Sequence, residues 1–364
     1  MIDENTSQYK PDYAVVPGVV LADFISSLGM SQAELACRTG LAKKTVNEII
    51  KGKAPITPET AIKLERTLGR PAHFWNNLER QFQEDKIRLE EQNRLSNHLS
   101  WLKKFPVNEM IANKWIREFK DNKVDQLNEV LSFFGVASPE QWKCVWNNYG
   151  ATFRQSSQGE HSAEAISAWI RKGEIDAQEI KCQPFSRKSF LDSMNKIRQL
   201  TNEEKPFIFI RELTQICSHN GVAVVFVPPL KRTGVFGATR WIGDKAVIML
   251  SLRYKTNDHL WFTFFHEAGH IVKHGKSDIF IDIKDQDENG KEEEANSFAQ
   301  NQLIPQIEFR QFIGSGVYSR EKIIEFSRKI GIAPGIVVGR LQREDRVQWN
   351  STLNKLKVHY KWAI

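Results

Sequence analysis

The chain reads as a mainly α-helical protein whose C-terminal part is α+β with a small sheet, and three observations predict this. Short apolar-periodic segments separated by glycines fill residues 21–69, an almost wholly apolar stretch runs from Trp261 to Val272, and strand-like runs occur at Val222–Val227 and Ala246–Leu250. With 364 residues, 41% of them hydrophobic, the chain is long enough for two or three domains with ordinary cores.

Leu21, Phe24, Ile25 and Leu28 recur at helical spacing, and Gly29 closes that helix. Ser31-Gln32-Ala33-Glu34 is a capping box that opens a second helix, through Leu35, Ala36 and Arg38 to Gly40. Val46, Ile49 and Ile50 form the buried stripe of a third helix, which Gly52 ends. Thr57-Pro58 starts a fourth, with proline at the first helical position, and Gly69 follows its end. Short helix, glycine turn, short helix is the helix-turn-helix arrangement. If the third helix is the recognition helix, Lys43, Lys44, Thr45, Asn47, Glu48 and Lys51 face outward. Lysines there can meet phosphates or guanine edges, and an asparagine can pair bidentately with adenine.

The run Ser31-Gln-Ala-Glu-Leu-Ala, Gly40, Ile49-Ile50-Lys51-Gly52, Ile56-Thr57-Pro58-Glu59-Thr60-Ala61 and Phe74-Trp75 resembles the lambda-repressor-like domain of HigA-type antitoxins over about residues 17–82. That resemblance implies a double-stranded DNA operator as partner. Such domains usually act on a two-fold site, so it also implies a homodimer.

Residues 83–200 read as a helical middle region. Asp85–Asn93 is charged and helical, and Leu127, Val130, Leu131 and Phe134 have helical spacing. Trp101, Trp115, Trp142, Trp146 and Trp169 are therefore expected in a core, and Gln155–His161, rich in serine and glycine, in a loop.

Within the apolar stretch stands His266-Glu267-Ala268-Gly269-His270. On a helix the two histidines lie one turn apart on one face, within reach of one metal ion. The helix is apolar all round, which predicts burial, and two histidines and a carboxylate in a core need partners that a metal supplies. Zinc held this way commonly takes a third protein ligand. His274 is too far for that role, because eight helical residues rise about 12 Å. Downstream, Lys291–Pro305 read as a helix has Ala295, Ala299 and Leu303 on its inner face. Glu292 shares that face, Glu294 is the second choice, and Glu293 lies on a polar side.

His-Glu-x-x-His after an aromatic run, then Glu292-x-x-Ala295-Asn296-x-Phe298-Ala299, then Leu303-Ile304-Pro305, resembles the ImmA/IrrE family of zinc metallopeptidases over about residues 205–347. The resemblance implies a zincin-like domain in which His266, His270 and Glu292 hold Zn²⁺ and Glu267 is the general base. Asn296 would orient a ligand from outside the coordination sphere. By this likeness the substrate is a repressor or antitoxin protein, or the chain itself. Arg240, Tyr254 and His274 are candidates for oxyanion stabilisation by type and neighbourhood. Ser277-Asp278 and Asp282–Gly290 read as an acidic loop beside the site. Ser319–Gln342 echoes the first helix-turn-helix, but Gly335–Val338 leave few polar side chains, which points to packing against the peptidase core.

The domains expected are 15–82 (helix-turn-helix), 83–200 (helical middle), 201–347 (peptidase) and 348–364 (tail). A net charge of +7 and a pI of about 9.1 permit DNA association. Cys37, Cys144, Cys182 and Cys217 show no disulfide or zinc-finger spacing. Residues 1–5 do not read as a signal peptide, and no apolar run nears the roughly 20 residues that cross a bilayer. A cytoplasmic protein is expected. Two functional classes remain. One is a DNA-binding regulator whose zinc peptidase cleaves a regulatory protein. The other is a HigA-type antitoxin and autorepressor that binds a toxin partner and whose zinc site is structural or vestigial. The first requires Glu267 and the second does not.

Overall fold

In the computed structural model the chain divides between Leu99 and Ser100 into two units, and the structure describes residues 13–146, 161–276, 280–283 and 290–361. Residues 1–5, most of the expected loop (155–160) and much of the expected acidic loop (277, 278 and 284–289) lie outside the described residues.

The N-terminal unit contains α1 (Pro17–Ser27), α2 (Gln32–Thr39), α3 (Lys43–Ile50), α4 (Pro58–Leu68) and α5 (Ala72–Ser96). Ser31 Oγ accepts from the Glu34 N–H at 3.1 Å, and Thr57 Oγ1 from the Thr60 N–H at 3.2 Å. Each cap satisfies a helix-end donor and contributes about 1 kcal/mol. Leu21, Ile25, Leu35, Val46, Ile49 and Leu64 close around Trp75, which Phe24 meets edge-on at 5.7 Å. α5 continues through the boundary expected at residue 82. No glycine or proline interrupts it, and i,i+4 pairs such as Arg80–Glu84 at 2.8 Å run along its surface.

α6 (Leu99–Leu102) starts at the last residue of the first unit, and the second unit continues with α7 (Val107–Ala112), α8 (Lys123–Phe134) and α9 (Pro139–Trp146). Trp101, Trp142 and Trp146 are buried here, with Trp101 4.4 Å from Phe105 and 5.9 Å from Trp142 between ring centroids. Trp115 is half-buried, stacked 6.3 Å from Phe133. Then come α10 (Ala163–Glu179), α11 (Arg187–Gln199) and α12 (Pro206–His219). α10 and α11, read from sequence as part of a middle region, pack on the strands and helices C-terminal to them. Trp169 donates to Val227 O at 3.1 Å, Arg198 donates to Leu303 O at 2.9 Å, and Phe190, Met194 and Ile197 join the core of the last 150 residues or so.

β1 (Val222–Phe226), β2 (Val235–Ile242), β3 (Lys245–Leu250) and β4 (Phe280–Ile283) form a sheet of order β1-β3-β2-β4. β1 and β3 are parallel, and β2 is antiparallel to both β3 and β4. The strands have two buried faces. Val222, Val224, Ile248 and Leu250 share one core with α12 and α13 (Asn257–Lys273), while the alternate residues turn toward α10. β4 is a strand where the sequence predicted only loop. Its four residues are too few to display an alternation, and acidic residues surround them.

α14 (Gly290–Leu303), α15 (Gln306–Ile313), α16 (Arg320–Ile330) and α17 (Pro334–Arg343) complete the helices. α17 buries Ile336, Val337, Val338 and Leu341, so the second helix-turn-helix echo is spent on packing. The segment expected as a tail is part of the core. Tyr360 is buried against Phe209, the backbones of Asn257 and Val358 bond at 2.9 Å, and Lys357 pairs with Asp258 at 2.7 Å. These contacts hold the first turn of α13. Among the described residues no helix is long and apolar enough to cross a membrane.

Candidate metal centre

α13 is enclosed by the sheet on one side and by α14 and α17 on the other, which is why its sequence is apolar all round. His266 and His270 are nearly inaccessible and Glu267 is completely so. α14 approaches closely because position 269 is glycine: a Cβ there would stand 3.1 Å from Ala295 Cα and 3.2 Å from the Phe298 ring. That approach carries Glu292 to the histidines.

The Nε2 atoms of His266 and His270 are 3.0 Å apart, and Glu292 Oε2 lies 3.1 Å from the first and 3.4 Å from the second. Donors around one tetrahedral zinc with bonds of about 2.0–2.1 Å stand about 3.3 Å apart, so two imidazoles and one carboxylate fit the ion in number, type and spacing. Glu293 and Glu294 are exposed and stand outside this group.

The outer nitrogens of both rings are also engaged. His266 Nδ1 is 3.0 Å from Asn296 Oδ1, and His270 Nδ1 is 3.0 Å from His274 Nδ1. With each Nδ1–H donating outward, both Nε2 lone pairs are left at the centre. His274 in turn faces Glu294 at 3.5 Å, and His270 stacks on Phe280 of β4 at 4.0 Å. The sequence ruled His274 out as a ligand by distance and did not foresee its contact with His270. The signal was present in the continued i+4 spacing.

Glu267 points toward the sheet. Thr239 Oγ1–H donates to its Oε2 at 2.6 Å, while Oε1, fully buried, has no hydrogen-bond partner among the described residues. Gly237 makes the space: a Cβ there would stand 2.6 Å from Oε1 and 2.7 Å from Thr263 Cγ2. Asp282, opposite Gly237 on β4, brings a carboxylate oxygen within 4.8 Å of the donor atoms of His266 and Glu267. Thr239 and Gly237 carried no sequence signal, and Asp282 was legible only as the start of an acidic loop, because strand pairing alone brings them to the helix.

Burial pushes the Glu267 carboxyl up to about 8, with the negative charges of Asp282 and Glu292 adding to it against the pull of His266 and Thr239. Burial also depresses His266, but the Glu292 hydrogen bond and the charges of Asp282, Glu267 and Glu292 prevail and raise it to about 9. Burial, aided by His266 and His274, holds His270 down to about 4. For Glu292 burial acts upward, yet hydrogen bonds to both histidines bring it to about 2. The site thus stabilises an ionised carboxylate at Glu292 and a proton-holding carboxyl at Glu267.

The expected oxyanion candidates do not gather here. Arg240 pairs across β3 with Val247 on the opposite face of the sheet and forms an ion pair with Glu174 of α10. Tyr254 is exposed and lies against Phe236 and His259, at 5.2 and 4.3 Å. His274 stands behind His270.

In the N-terminal unit, Lys43, Lys44 and Lys51 are exposed, and Thr45 and Asn47 are half-buried. Lys44 lies 3.8 Å from Glu48, an exposed pair of little energetic weight.

The helix-turn-helix family model matches residues 25–75, and the IrrE N-terminal-like domain matches residues 217–342. The chain is 35% identical to YddM, an uncharacterised HTH-type transcriptional regulator of Escherichia coli K12, over 63 residues, 17% of this chain and 67% of that one. Among solved structures, a HigA-family addiction module antidote protein from Coxiella burnetii is 26% identical, with a TM-score of 0.22, covering 23% of this chain and 92% of its own. Antitoxin HigA of Pseudomonas aeruginosa, solved with the higBA promoter, is 26% identical with a TM-score of 0.22, over 23% of this chain and 94% of its own. A further Pseudomonas aeruginosa protein, in complex with its operator DNA, is 28% identical with a TM-score of 0.20, over 21% and 82%. The chain belongs, by its N-terminal unit, to the helix-turn-helix transcriptional regulators, and it joins that domain to an IrrE N-terminal-like peptidase domain.

Proposed function

We propose that the protein is a cytoplasmic, DNA-binding regulator whose C-terminal domain is a zinc-dependent endopeptidase acting on a regulatory protein or on the chain itself. The observation that carries this reading is the convergence of His266 Nε2, His270 Nε2 and Glu292 Oε2 within 3.0–3.4 Å, beside a buried carboxylate oxygen of Glu267 that has no hydrogen-bond partner among the described residues. Those three atoms would hold the zinc ion, which when bound polarises a peptide carbonyl and acidifies water.

Glu267 Oε1 accepts a proton from the attacking water and then delivers it to the leaving amine nitrogen. Thr239 holds the other oxygen, so only Oε1 is free to move the proton. Asn296 and His274 fix the two imidazole rings, and the apolar wall of α13 keeps bulk water from the reaction. The N-terminal unit addresses a DNA operator through Lys43, Lys44, Thr45, Asn47 and Lys51, as a homodimer on a two-fold site.

The test combines metal analysis of the purified protein with Glu267→Gln. Zinc at about one per chain is expected in both. Metal-dependent fragments of partner proteins, or of the chain, should fall by a factor on the order of 10²–10⁴ in the variant, with DNA binding unchanged. Identical fragments in cells carrying either form, with regulation intact, would leave DNA binding and a toxin partner as the function and the metal as a structural element.

A further inference from the structure

Residues paired directly across an antiparallel ladder point to the same face, and the pairing of β2 with β4 lines one side of α13 in this way. Thr239 pairs with Phe280, and Gly237 with Asp282. The first pair meets the helix through the Thr239 bond to Glu267 at 2.6 Å and the stacking of Phe280 on His270 at 4.0 Å. The second pair, two residues along each strand, is therefore on that face too, and Gly237 has no side chain to fill the space beside Glu267 Oε1. Asp282 reaches toward that space: one of its carboxylate oxygens lies within 4.8 Å of donor atoms of both His266 and Glu267. This trio has only His266 in common with the ligand trio of His266, His270 and Glu292, so Asp282 stands on the Glu267 side of the metal position. Glu267 Oε1 makes no hydrogen bond among the described residues, so the carboxyl groups approach one another without a direct bond through that oxygen.

Resting on the peptidase reading, we propose that Asp282 is a second catalytic carboxylate, which accepts a hydrogen bond from the attacking water while Glu267 takes the water's other proton. One water that donates to two carboxylate oxygens at about 2.8 Å each holds them about 4.4 Å apart, a separation that fits between Glu267 and Asp282. In the step an oxygen lone pair of the water forms the bond to the peptide carbonyl carbon, and the carbonyl π pair moves to its oxygen. The O–H bond on the Glu267 side breaks, its electron pair stays on the water oxygen, and its proton passes to Glu267 Oε1 and on to the leaving amine. Asp282 neither gains nor loses a proton. It fixes the second O–H and so turns the lone pair toward the carbonyl, whereas a single acceptor would leave the water free to rotate about one hydrogen bond.

The experiment uses the full-length, zinc-loaded protein and the best-cut peptide of a quenched-fluorescence library. Asp282→Ala should lower kcat by roughly 10- to 100-fold with KM little changed. Asp282→Asn, nearly the same in shape and with one acceptor oxygen left, should recover part of that loss and guards against loss of the fold. In Glu267→Gln the further change Asp282→Ala should cost almost nothing, because both groups act on one water. Zinc affinity, by chelator competition, should stay near the wild-type value in both Asp282 variants. With Co²⁺ in place of zinc, the visible absorption band should shift in Asp282→Ala and not in Glu293→Ala, because only the first alters the immediate surroundings of the metal. Wild-type kcat in Asp282→Ala, or losses that multiply in the double variant, would overturn the role of Asp282 and leave the peptidase reading standing. Zinc affinity reduced as far as in Glu292→Ala would make Asp282 a ligand instead, with the same consequence. Absence of metal-dependent cleavage of every peptide by wild type would overturn both.

Discussion

With the metal chelated, Glu267→Gln should make the protein more stable than wild type at neutral pH, and the gain should depend on pH in a defined way. Glu267 is fully buried, one of its oxygens has no hydrogen-bond partner among the described residues, and its carboxyl is raised from 4.5 to about 8, chiefly by burial. In the unfolded chain it ionises near pH 4.5, but in the native fold it keeps its proton until about pH 8. Between those values the native state binds more protons, so the stability of wild type falls as pH rises through the window and levels off above it. At pH 7 the cost is on the order of 3 kcal/mol, from 1.36 kcal/mol for each pKa unit of separation. Glutamine has nearly the same shape, retains an acceptor for the Thr239 hydroxyl and does not titrate.

Urea unfolding of chelated wild type and variant, at pH 4.5, 6, 7 and 8, reads this directly. The difference should be near zero at pH 4.5, widen through pH 6 and 7, and flatten by about pH 8. Reloading zinc should narrow it, because a nearby divalent cation favours the ionised carboxyl. A difference that does not change with pH, or wild type more stable throughout, would refute the argument that the Glu267 carboxylate is held desolvated.

Glu292→Ala should lower zinc affinity by more than about 100-fold while Glu293→Ala leaves it unchanged, as measured by chelator competition; equal retention would sink the ligand assignment. Gly237→Ala introduces a Cβ 2.6 Å from Glu267 Oε1, and should cost about 1–3 kcal/mol of stability and on the order of 100-fold in hydrolysis with zinc retained. Wild-type stability and activity in that variant would show that the strand-to-helix spacing is not limiting. In gel shifts on the gene's upstream region, Asn47→Ala should relax sequence preference, by about 1–3 kcal/mol for a lost bidentate contact, whereas Lys43→Ala and Lys44→Ala should weaken binding to every sequence and flatten its salt dependence. A triple variant that binds like wild type would reject α3 as the recognition helix.

Whatever rests on local spacing is legible in the sequence. The capping box at Ser31, the proline start at Pro58 and the i,i+4 histidines are statements about one or two helical turns, and helical geometry brings those residues together whatever surrounds them. Even Glu292 could be singled out, because its phase relative to Ala295 and Ala299 decides which of three glutamates faces inward. The domain limits were less legible. α5 runs past residue 82 because nothing in its sequence stops a helix, and α10, α11 and the segment 348–361 join the core through contacts far apart in the chain. β4 was missed because four residues are too short a period-two pattern to stand out.

Periodicity along single elements was enough for the helix-turn-helix, the burial of α13, the placing of the two histidines on one helix face and the inward phase of Glu292. Only the tertiary structure decided that Thr239 and Gly237 set the position of Glu267, that His274 backs His270, that Asp282 approaches the site and that Arg240 faces away from it. The physical reason is that strand register and the close approach of α14 to α13 at Gly269 join residues tens of positions apart. No local pattern encodes which of them will meet, since that depends on how several elements pack at once.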